Sequence, residues 1–401
     1  MSRNSYDVAV VGAGPAGCTA ARMTAEKGFK TIVLERRKQI GIPVQCGEYL
    51  PVPAEMRDLL RNSPRVARLV DVPKHLITNR CKRLQLFSPL GNGFEFRLHA
   101  NVIDRAKFDQ HLAARAADVG VDFQMETTVF KRAKSNVLSV RNKEGKQEIS
   151  SKVIIGADGA RSLISQSIGN RYENEDNDLC PSINFVMEDV ECDSTTTEMY
   201  FGRQIAPGGY AWLIPKGDNI ANVGFGMRRP FSSPKRSIKD YLYKFIRTNP
   251  LVAPRMRKAR IVSRVGATIP VGGPVRRTFS DNVVLVGDAA GHVMASNGGG
   301  IPTALAGSEI AGEAVVQHLE SGQPLSRYEK IWREEFSVEL LSALRILRIA
   351  DQVMTSDMIT DLCMRLAGAR YLKHLVRCRL PTTVDLASKT LVKVLHFLES
   401  H

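Results

Sequence analysis

The 401 residues of this chain exceed what one compact core usually organises, so we expect two domains and a helical tail. Hydrophobic residues make up 43% and charged residues 24%, but no uninterrupted apolar run approaches the roughly 18 residues that a spanning helix needs, which excludes a membrane-spanning protein. The net charge of +15 attracts anions, but aromatic residues make up only 6% and no nucleic-acid-binding module is recognisable, so nucleic acid is not expected as a partner.

The first fifty residues predict one strand–helix–strand unit that contains a glycine-rich turn. Buried parallel strands are predicted at 7–11 and 31–34, and a helix at 16–27. The turn Gly12-Ala13-Gly14-Pro15-Ala16-Gly17 follows the first strand directly and opens the helix. This is the context that a dinucleotide-binding fingerprint requires.

The residue types of this turn suit a pyrophosphate. Gly12 permits the tight turn, Gly14 lets the backbone approach the ligand, and Gly17 allows close packing of the helix. The helix start, which includes Ala16, offers unpaired N–H groups and a positive dipole end. Glu35 closes the second strand at the spacing where a carboxylate binds an adenosine ribose hydroxyl. We therefore predict a dinucleotide site, which nicotinamide and flavin cofactors would satisfy equally well.

The rest of the chain alternates between segments of helical and strand period. Before residue 156 we predict a helical segment at 51–74, a hairpin at 83–98, a helix at 104–119, and strands near 121–130, 136–141 and 147–155. Short alternating strands occupy 180–270, with one amphipathic helix at 234–247. A buried strand at 282–287 and a helix at 302–320 follow, and the segment 325–401 is mostly helical.

This order of elements predicts a discontinuous dinucleotide-binding domain and a second domain built on a sheet. The first domain would comprise residues 1–75, 100–170 and 275–325. A substrate-binding sheet domain would comprise 76–99 and 171–274, and a helical C-terminal region 326–401.

Three further motifs identify the class of cofactor. Gly156-Ala157-Asp158-Gly159-Ala160-Arg161-Ser162 and Val286-Gly287-Asp288-Ala289-Ala290-Gly291 each follow an apolar strand, and D-R-x-x-F-D-x-x-L at 104–112 opens a helix. Together they resemble the large flavoprotein class that includes aromatic hydroxylases and geranylgeranyl reductases. The resemblance implies an α/β fold, with a Rossmann-like FAD-binding domain of the aromatic-hydroxylase type, an antiparallel-sheet substrate domain and a helical C-terminal region.

The same resemblance implies roles for single residues around FAD. Asp288 would bind the ribityl chain, Arg105 would lie beside the flavin, and Val129 would give a backbone contact to adenine. Gly300 and Ile301, at the start of a helix, would direct N–H groups at the flavin pyrimidine ring. Two alternatives stay open, because Asp158 and Asp288 could each cap a following helix and Arg105 could be a surface residue.

Two segments narrow the class further: Pro43-Val44-Gln45-Cys46-Gly47-Glu48, and Pro207 to Pro215 followed by Gly224-Phe225-Gly226. Both resemble geranylgeranyl reductases, which carry a C-G-E loop against the flavin and an aromatic segment that lines a prenyl-chain cavity. The resemblance spans about residues 6–320 and implies that reduced FAD delivers hydride to an isolated alkene while an acid protonates the other carbon. The residues implied are Cys46 and Glu48 as candidate acids, Cys46 and Gly47 as flavin contacts, and Tyr210, Trp212, Pro215 and Gly224 as substrate contacts.

Departures from the family pattern leave the substrate open. Gln45 stands where several relatives have arginine, Tyr49 where a small residue is usual, and Ile214 where phenylalanine is usual. The candidate substrates are therefore geranylgeranyl chains on membrane ether-lipid precursors and prenyl diphosphates. The electron donor is undecided between ferredoxin and NADPH.

Two other functions fit the same fold. An FAD monooxygenase or halogenase is the leading alternative, although Gly291 stands where hydroxylases usually have histidine and Met294-Ala295 where they have prolines. A lipid-binding flavoprotein without turnover is the second alternative.

The ends of the chain and its cysteines bear on location. The N-terminus does not resemble an export signal, and the seven cysteines are dispersed without metal-ligand spacing, so we expect a cytoplasmic protein with no metal and no disulfide framework. Residues 361–401 hold seven Lys and Arg against three Asp and Glu, with leucine-rich helical spacing. This tail could lie on an acidic membrane surface, at the inner face of the cell membrane, or pack on its own domain.

Overall fold

A computed structural model of the protein describes residues 4–133, 136–172 and 174–380. Within these ranges the chain forms two sheets of eight strands each. In chain order the strands are β1 (Asn4–Val11), β2 (Thr31–Leu34), β3 (Tyr49–Pro51), β4 (Ile77–Phe87), β5 (Gly93–Ile103), β6 (Asp122–Gln124), β7 (Thr128–Arg132), β8 (Val137–Asn142), β9 (Gly145–Gly156), β10 (Leu179–Glu188), β11 (Thr196–Tyr200), β12 (Tyr210–Gly217), β13 (Ile220–Gly226), β14 (Arg260–Pro270), β15 (Phe279–Ser280) and β16 (Val283–Leu285).

The helices lie mainly on the first sheet and in the C-terminal region. They are α1 (Pro15–Ala25), α2 (Pro53–Leu59), α3 (Val66–Leu69), α4 (Arg105–Ala117), α5 (Leu163–Ser167), α6 (Glu175–Asp178), α7 (Ile238–Thr248), α8 (Ile301–Ser321), α9 (Ser326–Val353) and α10 (Asp357–Val376). In the described part of the chain, no helix is both long enough and apolar enough to cross a membrane.

The first sheet has a parallel centre. Its strand order is β15-β16-β9-β1-β2-β6, and β8 and β7 extend it through β9. The pairs β16–β9, β9–β1, β1–β2 and β2–β6 are parallel. Helices α1, α4 and α8 share one apolar core with one face, and a second apolar cluster covers the other face. Because both faces are covered, these strands are continuous apolar runs, such as the fully buried Thr31–Leu34.

The second sheet is mostly antiparallel, in the order β14-β10-β13-β12-β11-β4-β5-β3. Only the β11–β4 pair is parallel among the described pairs of this sheet. Helix α7 packs against it through Tyr241, Leu242 and Phe245, and Ser237 caps that helix in a reciprocal capping box with Asp240. Helix α10 packs on another part of the sheet, against β4 and β5.

The predicted fold class is confirmed: a mixed α/β structure with a parallel-centred sheet, an antiparallel sheet and a helical C-terminal region. The hairpin predicted at 83–98 is present and longer, as β4 and β5. The domain boundaries stay a prediction, and the short strand β3, inside 1–75, pairs with β5 in the second sheet.

Several element boundaries were wrong, for local reasons. The helical segment at 51–74 divides into α2 and α3. The strand at 121–130 is interrupted at Glu126, whose φ is +52°. The strand at 282–287 stops at Leu285, because Gly287 has a φ of +60° and begins a 3₁₀ turn. The helical tail is present as far as Val376, and residues 381–401 lie outside the described residues.

Candidate functional site

The fold brings three of the sequence motifs to one edge of the first sheet. In the parallel register Val11 pairs with Gly156, and Leu285 pairs with the same glycine from the other side. The turns after β1, β9 and β16 therefore emerge side by side, at the carboxyl ends of the strands. Ligands of open α/β sheets bind at this edge.

The first turn is shaped by its glycines. Gly12 has a φ of +103°, and a Cβ there would lie 2.4 Å from the carbonyl oxygen of Ala157. A Cβ on Gly17 would lie 1.9 Å from the carbonyl oxygen of Gly12, so α1 can approach the turn only with glycine at this position. In contrast, a Cβ on Gly14 would meet no atom within 4 Å, and no side chain caps the start of α1. Open space thus adjoins free backbone donors, which fits a pyrophosphate.

Glu35 lies at the end of β2 and is 8% exposed. One of its carboxylate oxygens accepts the N–H of Ala13 at 2.7 Å, and the other accepts the N–H of Arg37 at 2.9 Å. A carboxylate has about four acceptor positions, so Glu35 keeps capacity for a ribose hydroxyl. The N–H of Thr127 donates to the carbonyl of Glu35 at 2.8 Å, which brings the start of β7, and with it Val129, to the same end of the site.

Asp288 has the properties of a ligand-binding carboxylate. It follows β16 in the 3₁₀ turn Gly287–Ala290, and its side chain has no hydrogen-bond partner among the described residues. Burial raises its pKa to about 6, against the opposing effect of the Arg105 guanidinium. A Cβ on Gly300 would lie 3.5 Å from Asp288 Oδ1, so the carboxylate adjoins the start of α8.

Asp158, by contrast, is a helix cap. Its Oδ2 accepts the N–H groups of Leu163 at 2.7 Å and Ile164 at 3.2 Å, and Ser162 donates to its Oδ1 at 2.5 Å. The capping alternative for Asp158 is therefore correct, and its acceptors are occupied by α5.

The start of α8 resembles the start of α1. Gly300 precedes the first helical residue, Ile301, without a side-chain cap, and Pro302 occupies the first turn. Thr303 donates to the carbonyl of His292 at 2.5 Å and holds the preceding loop against the helix. The free N–H groups of this helix end lie beside Asp288 and favour an electron-rich group.

Arg105 opens α4 and is only 15% exposed. Its guanidinium makes two hydrogen bonds of 3.0 Å to the carboxylate of Asp109, and the sulfur of Cys46 also lies close enough to interact with it. Arg105 is thus a partly buried cation next to the C-G-E loop rather than a surface residue.

Two neighbouring side chains and one backbone N–H hold the C-G-E loop in place. Glu48 is 2% exposed and has a φ of +67°, which is rare outside glycine. Its carboxylate forms an ion pair with Lys216 and accepts hydrogen bonds from Asn222 at 3.5 Å and from the N–H of Arg105 at 3.4 Å. The N–H of Glu48 in turn donates to Cys46 Sγ at 3.1 Å. The loop is therefore fixed from β12, β13 and α4 together.

The aromatic segment, residues 210–215 of β12, lies against the C-G-E loop. A Cβ on Gly47 would lie 3.0 Å from Ile214 and 3.8 Å from Trp212 Nε1. Trp212 donates from Nε1 to Asn222 Oδ1 at 2.9 Å, and Asn222 Nδ2 donates to the carbonyl of Cys46 at 3.0 Å. Gly224 has no room for a side chain, because a Cβ would lie 2.6 Å from the Trp212 ring.

A small cavity of about 50 Å³, open to solvent, adjoins the aromatic segment. Tyr210 and Trp212 line it together with Gly298, from the loop before α8, and Leu347, from α9. Tyr210 donates to the carbonyl of Asn297 at 2.5 Å, which ties β12 to that loop. Pro215 and Gly224 are not among the described lining residues. The carbonyl of Pro215 instead accepts a hydrogen bond from Asn79 at 2.8 Å.

Sequence reasoning missed two residues of this site, Lys216 and Asn222. Asn222 is completely buried in a strand that is otherwise apolar, Ile220–Gly226, and an amide within such a run was the available signal. Lys216 follows Pro215 directly, but its partner Glu48 is 168 positions away, so no local pattern could pair them.

A family model described as the geranylgeranyl reductase catalytic domain matches residues 178–269, and a model of the Thi4 family matches residues 2–50. The digeranylgeranylglycerophospholipid reductase of Methanocaldococcus jannaschii is 34% identical over 365 residues, which cover 88% of each chain. Digeranylgeranylglycerophospholipid reductase 2 of Methanothermobacter thermautotrophicus is 34% identical over 357 residues, which cover 86% of this chain and 88% of that relative.

Solved structures show the same fold. A geranylgeranyl bacteriochlorophyll reductase-like protein from Thermoplasma acidophilum superposes with a TM-score of 0.81 and 28% identity, covering 96% of both chains. A flavin-dependent brominase superposes with a TM-score of 0.70 over 98% of this chain and 99% of its own, but at 17% identity it supports the fold alone.

Proposed function

Because the chain belongs to the geranylgeranyl reductase family, we propose that it is an FAD-dependent reductase that saturates isolated C=C bonds of geranylgeranyl chains on membrane ether-lipid precursors. The observation that carries this proposal is the contact between the C-G-E loop and the aromatic segment. Asn222 hydrogen-bonds both Trp212 and the carbonyl of Cys46, next to a cavity that reaches the loop before α8.

The residues that would hold FAD follow from the fit described above. The glycine turn and α1 suit the pyrophosphate, Glu35 the ribose, and Asp288 the ribityl hydroxyls, since its carboxylate is free to accept them. The full proposed set is Gly12, Gly14, Ala16, Gly17, Glu35, Cys46, Gly47, Arg105, Val129, Asp288, Gly300 and Ile301. FAD, when bound, supplies the hydride that adds to one alkene carbon.

The second alkene carbon must receive a proton, and Cys46 and Glu48 are the candidate donors. Glu48 is buried beneath the loop and paired with Lys216, an arrangement that suits a carboxylate holding the loop in place. The Cys46 side chain is partly exposed on the same loop. We therefore favour Cys46 as the proton donor and Glu48 as the residue that positions it.

Tyr210, Trp212, Pro215 and Gly224 are the proposed substrate segment. An isolated alkene offers no carbonyl to polarise, so rate enhancement depends on placing the chain correctly and on excluding water. Tyr210 and Trp212 meet edge to face, with ring centroids 6.1 Å apart, and present a rigid apolar wall to the cavity.

The hydroxylase alternative meets a steric obstacle. Gly291 has a φ of +69°, and a Cβ there would lie 2.2 Å from the carbonyl oxygen of Gly273. A histidine at this position, as hydroxylases usually have, would therefore require the segment around Gly273 to move. No comparable feature of the described residues favours oxygen chemistry.

The test is anaerobic turnover. The purified protein, reduced with dithionite and given geranylgeranyl lipids without oxygen, should yield products that gain two hydrogens for each bond saturated, measured by mass spectrometry. Samples without reductant should show no gain, and Cys46→Ala should keep its bound flavin while losing most of the gain. No mass gain with any prenyl lipid or prenyl diphosphate would exclude the reductase function, and oxygen consumption coupled to substrate would favour a monooxygenase.

The donor and the place of action complete the proposal. Reduced ferredoxin and NADPH are both proposed donors, and anaerobic bleaching of the flavin absorbance by one and not the other will decide between them. Since the substrate is a membrane lipid, the enzyme would act in the cytoplasm as a peripheral protein on the inner face of the cell membrane.

A further inference from the structure

A row of large apolar side chains lies exposed along the first half of α10. Met358, Leu362 and Leu366 are 75%, 53% and 77% exposed, and Ile359 beside them is 39% exposed. Their spacing of four residues places them along one side of the helix. Single exposed leucines are ordinary, but a contiguous row of them marks an interaction surface. We call these four residues the α10 stripe.

The charges around the α10 stripe are unequal in sign. The acidic side chains of this half helix are turned to internal partners: Asp361, 3% exposed, accepts hydrogen bonds from Ser88 and from Asn92 at 2.8 Å, and Asp357 accepts the N–H of Arg203 at 2.7 Å. Arg365 is 62% exposed on the side of the stripe, only 3.8 Å from Asp361 but reaching solvent. Arg370 is exposed beyond the kink at Gly368. The outward side therefore offers apolar groups and cations.

The opposite side of α10 packs on the second sheet, next to the proposed substrate segment. Met364 and Leu372 join a core cluster with the strands β4 and β5, and Tyr49 packs against this cluster. Tyr49 also packs against the cluster that contains Trp212. At the end of the helix the carbonyl of Val376 accepts a hydrogen bond from Asn297, the residue whose own carbonyl holds Tyr210. Tyr49 and Asn297 thus connect α10 to the proposed site.

We infer that the α10 stripe, with Arg365 and Arg370, is a docking surface for an anionic lipid bilayer. Apolar side chains flanked by cations bind such a surface by inserting at the headgroup level while the cations meet lipid phosphates. The net charge of +15 complements the same partner. Membrane binding itself is independent of catalysis, and only the purpose of the surface, to bring a lipid substrate to the site connected to α10, rests on the proposed function.

The test is co-sedimentation of the full-length protein with phosphatidylglycerol vesicles and with phosphatidylcholine vesicles, without reductant. We expect binding to phosphatidylglycerol that weakens as salt rises. Leu362→Gln with Leu366→Gln should weaken it by about tenfold for each leucine. Arg365→Gln with Arg370→Gln should weaken it by about fivefold for each charge, and on phosphatidylglycerol only.

A matched control tests whether vesicle binding depends on the α10 stripe or on any exposed apolar side chain. Phe130 and Val262 are 39% and 57% exposed but lie in strands β7 and β14, neither of which pairs with the strands β4 and β5 that α10 covers. Phe130→Gln with Val262→Gln should keep wild-type affinity for the vesicles. Equal losses in the control pair and the leucine pair would overturn the inference.

Three other outcomes would also overturn it. The first is a wild-type protein that does not sediment with phosphatidylglycerol. The second is a wild-type dimer, seen by light scattering, that the leucine pair dissociates, which would make the partner a second copy. The third is a wild-type protein that does not bind vesicles, together with a leucine-pair variant that unfolds at a lower temperature than wild type. This combination would mean that another part of the chain covers the stripe.

A turnover assay distinguishes this inference from the proposed reductase activity. With substrate embedded in phosphatidylglycerol vesicles, the leucine pair should be slower than wild type, whereas with substrate dispersed in detergent the two should be equal. Absence of turnover in both proteins would reject the activity and leave the vesicle result standing.

Discussion

Asn222 is the residue on which the two halves of the candidate site depend. Its amide oxygen accepts from Trp212 at 2.9 Å, and its amide nitrogen donates to the carbonyl of Cys46 at 3.0 Å and to Glu48 at 3.5 Å. Removing this side chain leaves the buried indole N–H and the loop carbonyl without partners, which costs more than the hydrogen bonds themselves contribute.

Asn222→Leu should therefore destabilise the protein by about 1–3 kcal/mol and reduce turnover by more than the loss of folded protein explains. Urea unfolding, followed by tryptophan fluorescence, and the rate per folded molecule measure these effects. Asn170 is the control, since it is buried and donates to the carbonyl of Arg277 at 2.8 Å, and none of its described hydrogen bonds involves the C-G-E loop or β12. Asn170→Leu should lose similar stability with normal turnover, and equal turnover in both variants would contradict a positioning role.

His292 is fully buried, and neither ring nitrogen has a hydrogen-bond partner among the described residues. Its ring centroid lies 4.6 Å from that of Trp332 and 5.2 Å from that of Phe336. Burial, together with the nearby Arg333, lowers the pKa of His292 from 6.5 to about 3. The folded protein therefore keeps this ring neutral at pH values where the unfolded chain binds a proton.

His292 should make the protein acid-sensitive. Its contribution to stability is complete above about pH 6.5 and is lost as the pH falls toward 3, at about 1.4 kcal/mol for each pH unit. Between pH 6 and pH 4.5, the free energy of unfolding of His292→Leu should therefore fall by about 2 kcal/mol less than that of wild type, as measured by urea unfolding. His99→Gln, which changes an exposed side chain, should keep the wild-type dependence. Parallel curves for His292→Leu and wild type would refute this assignment.

At the scale of elements, one ion pair joins α9 to the second sheet. Arg228, after β13, is 3% exposed and bonds the carboxylate of Asp351, in the last turn of α9, which is 22% exposed. Arg228 also donates to the carbonyl of Gly208 at 2.8 Å and lines the cavity. The pair therefore fixes the end of α9 at the cavity wall.

Asp351→Ala should destabilise the protein by about 3–5 kcal/mol, because it leaves the buried Arg228 without its counter-charge. The control is the ion pair of Arg229 with Asp176, whose side chains are 68% and 59% exposed, and Asp176→Ala should cost less than about 1 kcal/mol. Free energies of unfolding in urea compare the two variants. Similar losses would show that the pair does not hold α9 on the sheet.

Elements with strong local patterns were predictable from the sequence. The apolar runs of β1 and β2, the glycine turn and the hairpin of β4 and β5 depend on residues close together in the chain, and the structure has them where the pattern predicts. The predicted ends of elements were wrong where one residue changed the backbone direction, as Gly287 does at the end of β16.

At the scale of the whole molecule, the contacts that assemble the site could not be predicted from the periodicity of the sequence. The parallel pairing of Thr196 in β11 with Arg83 in β4 joins positions more than a hundred residues apart. The contact of Lys216 with Glu48 depends on that pairing and on the order of β12 and β13 within the same sheet. Such contacts follow from strand topology; the family resemblance implied the two sheets but neither their strand order nor this contact.

The C-G-E loop has one end in each sheet: the chain leaves the first sheet at β2 and enters the second at its outermost strand, β3. A segment tethered at both ends moves whenever its two supports move apart. Spreading of the second sheet to accommodate a longer or thicker chain would therefore pull directly on Cys46. In the proposed reductase, the fit of the substrate chain and the placement of the proposed proton donor would in this way be coupled.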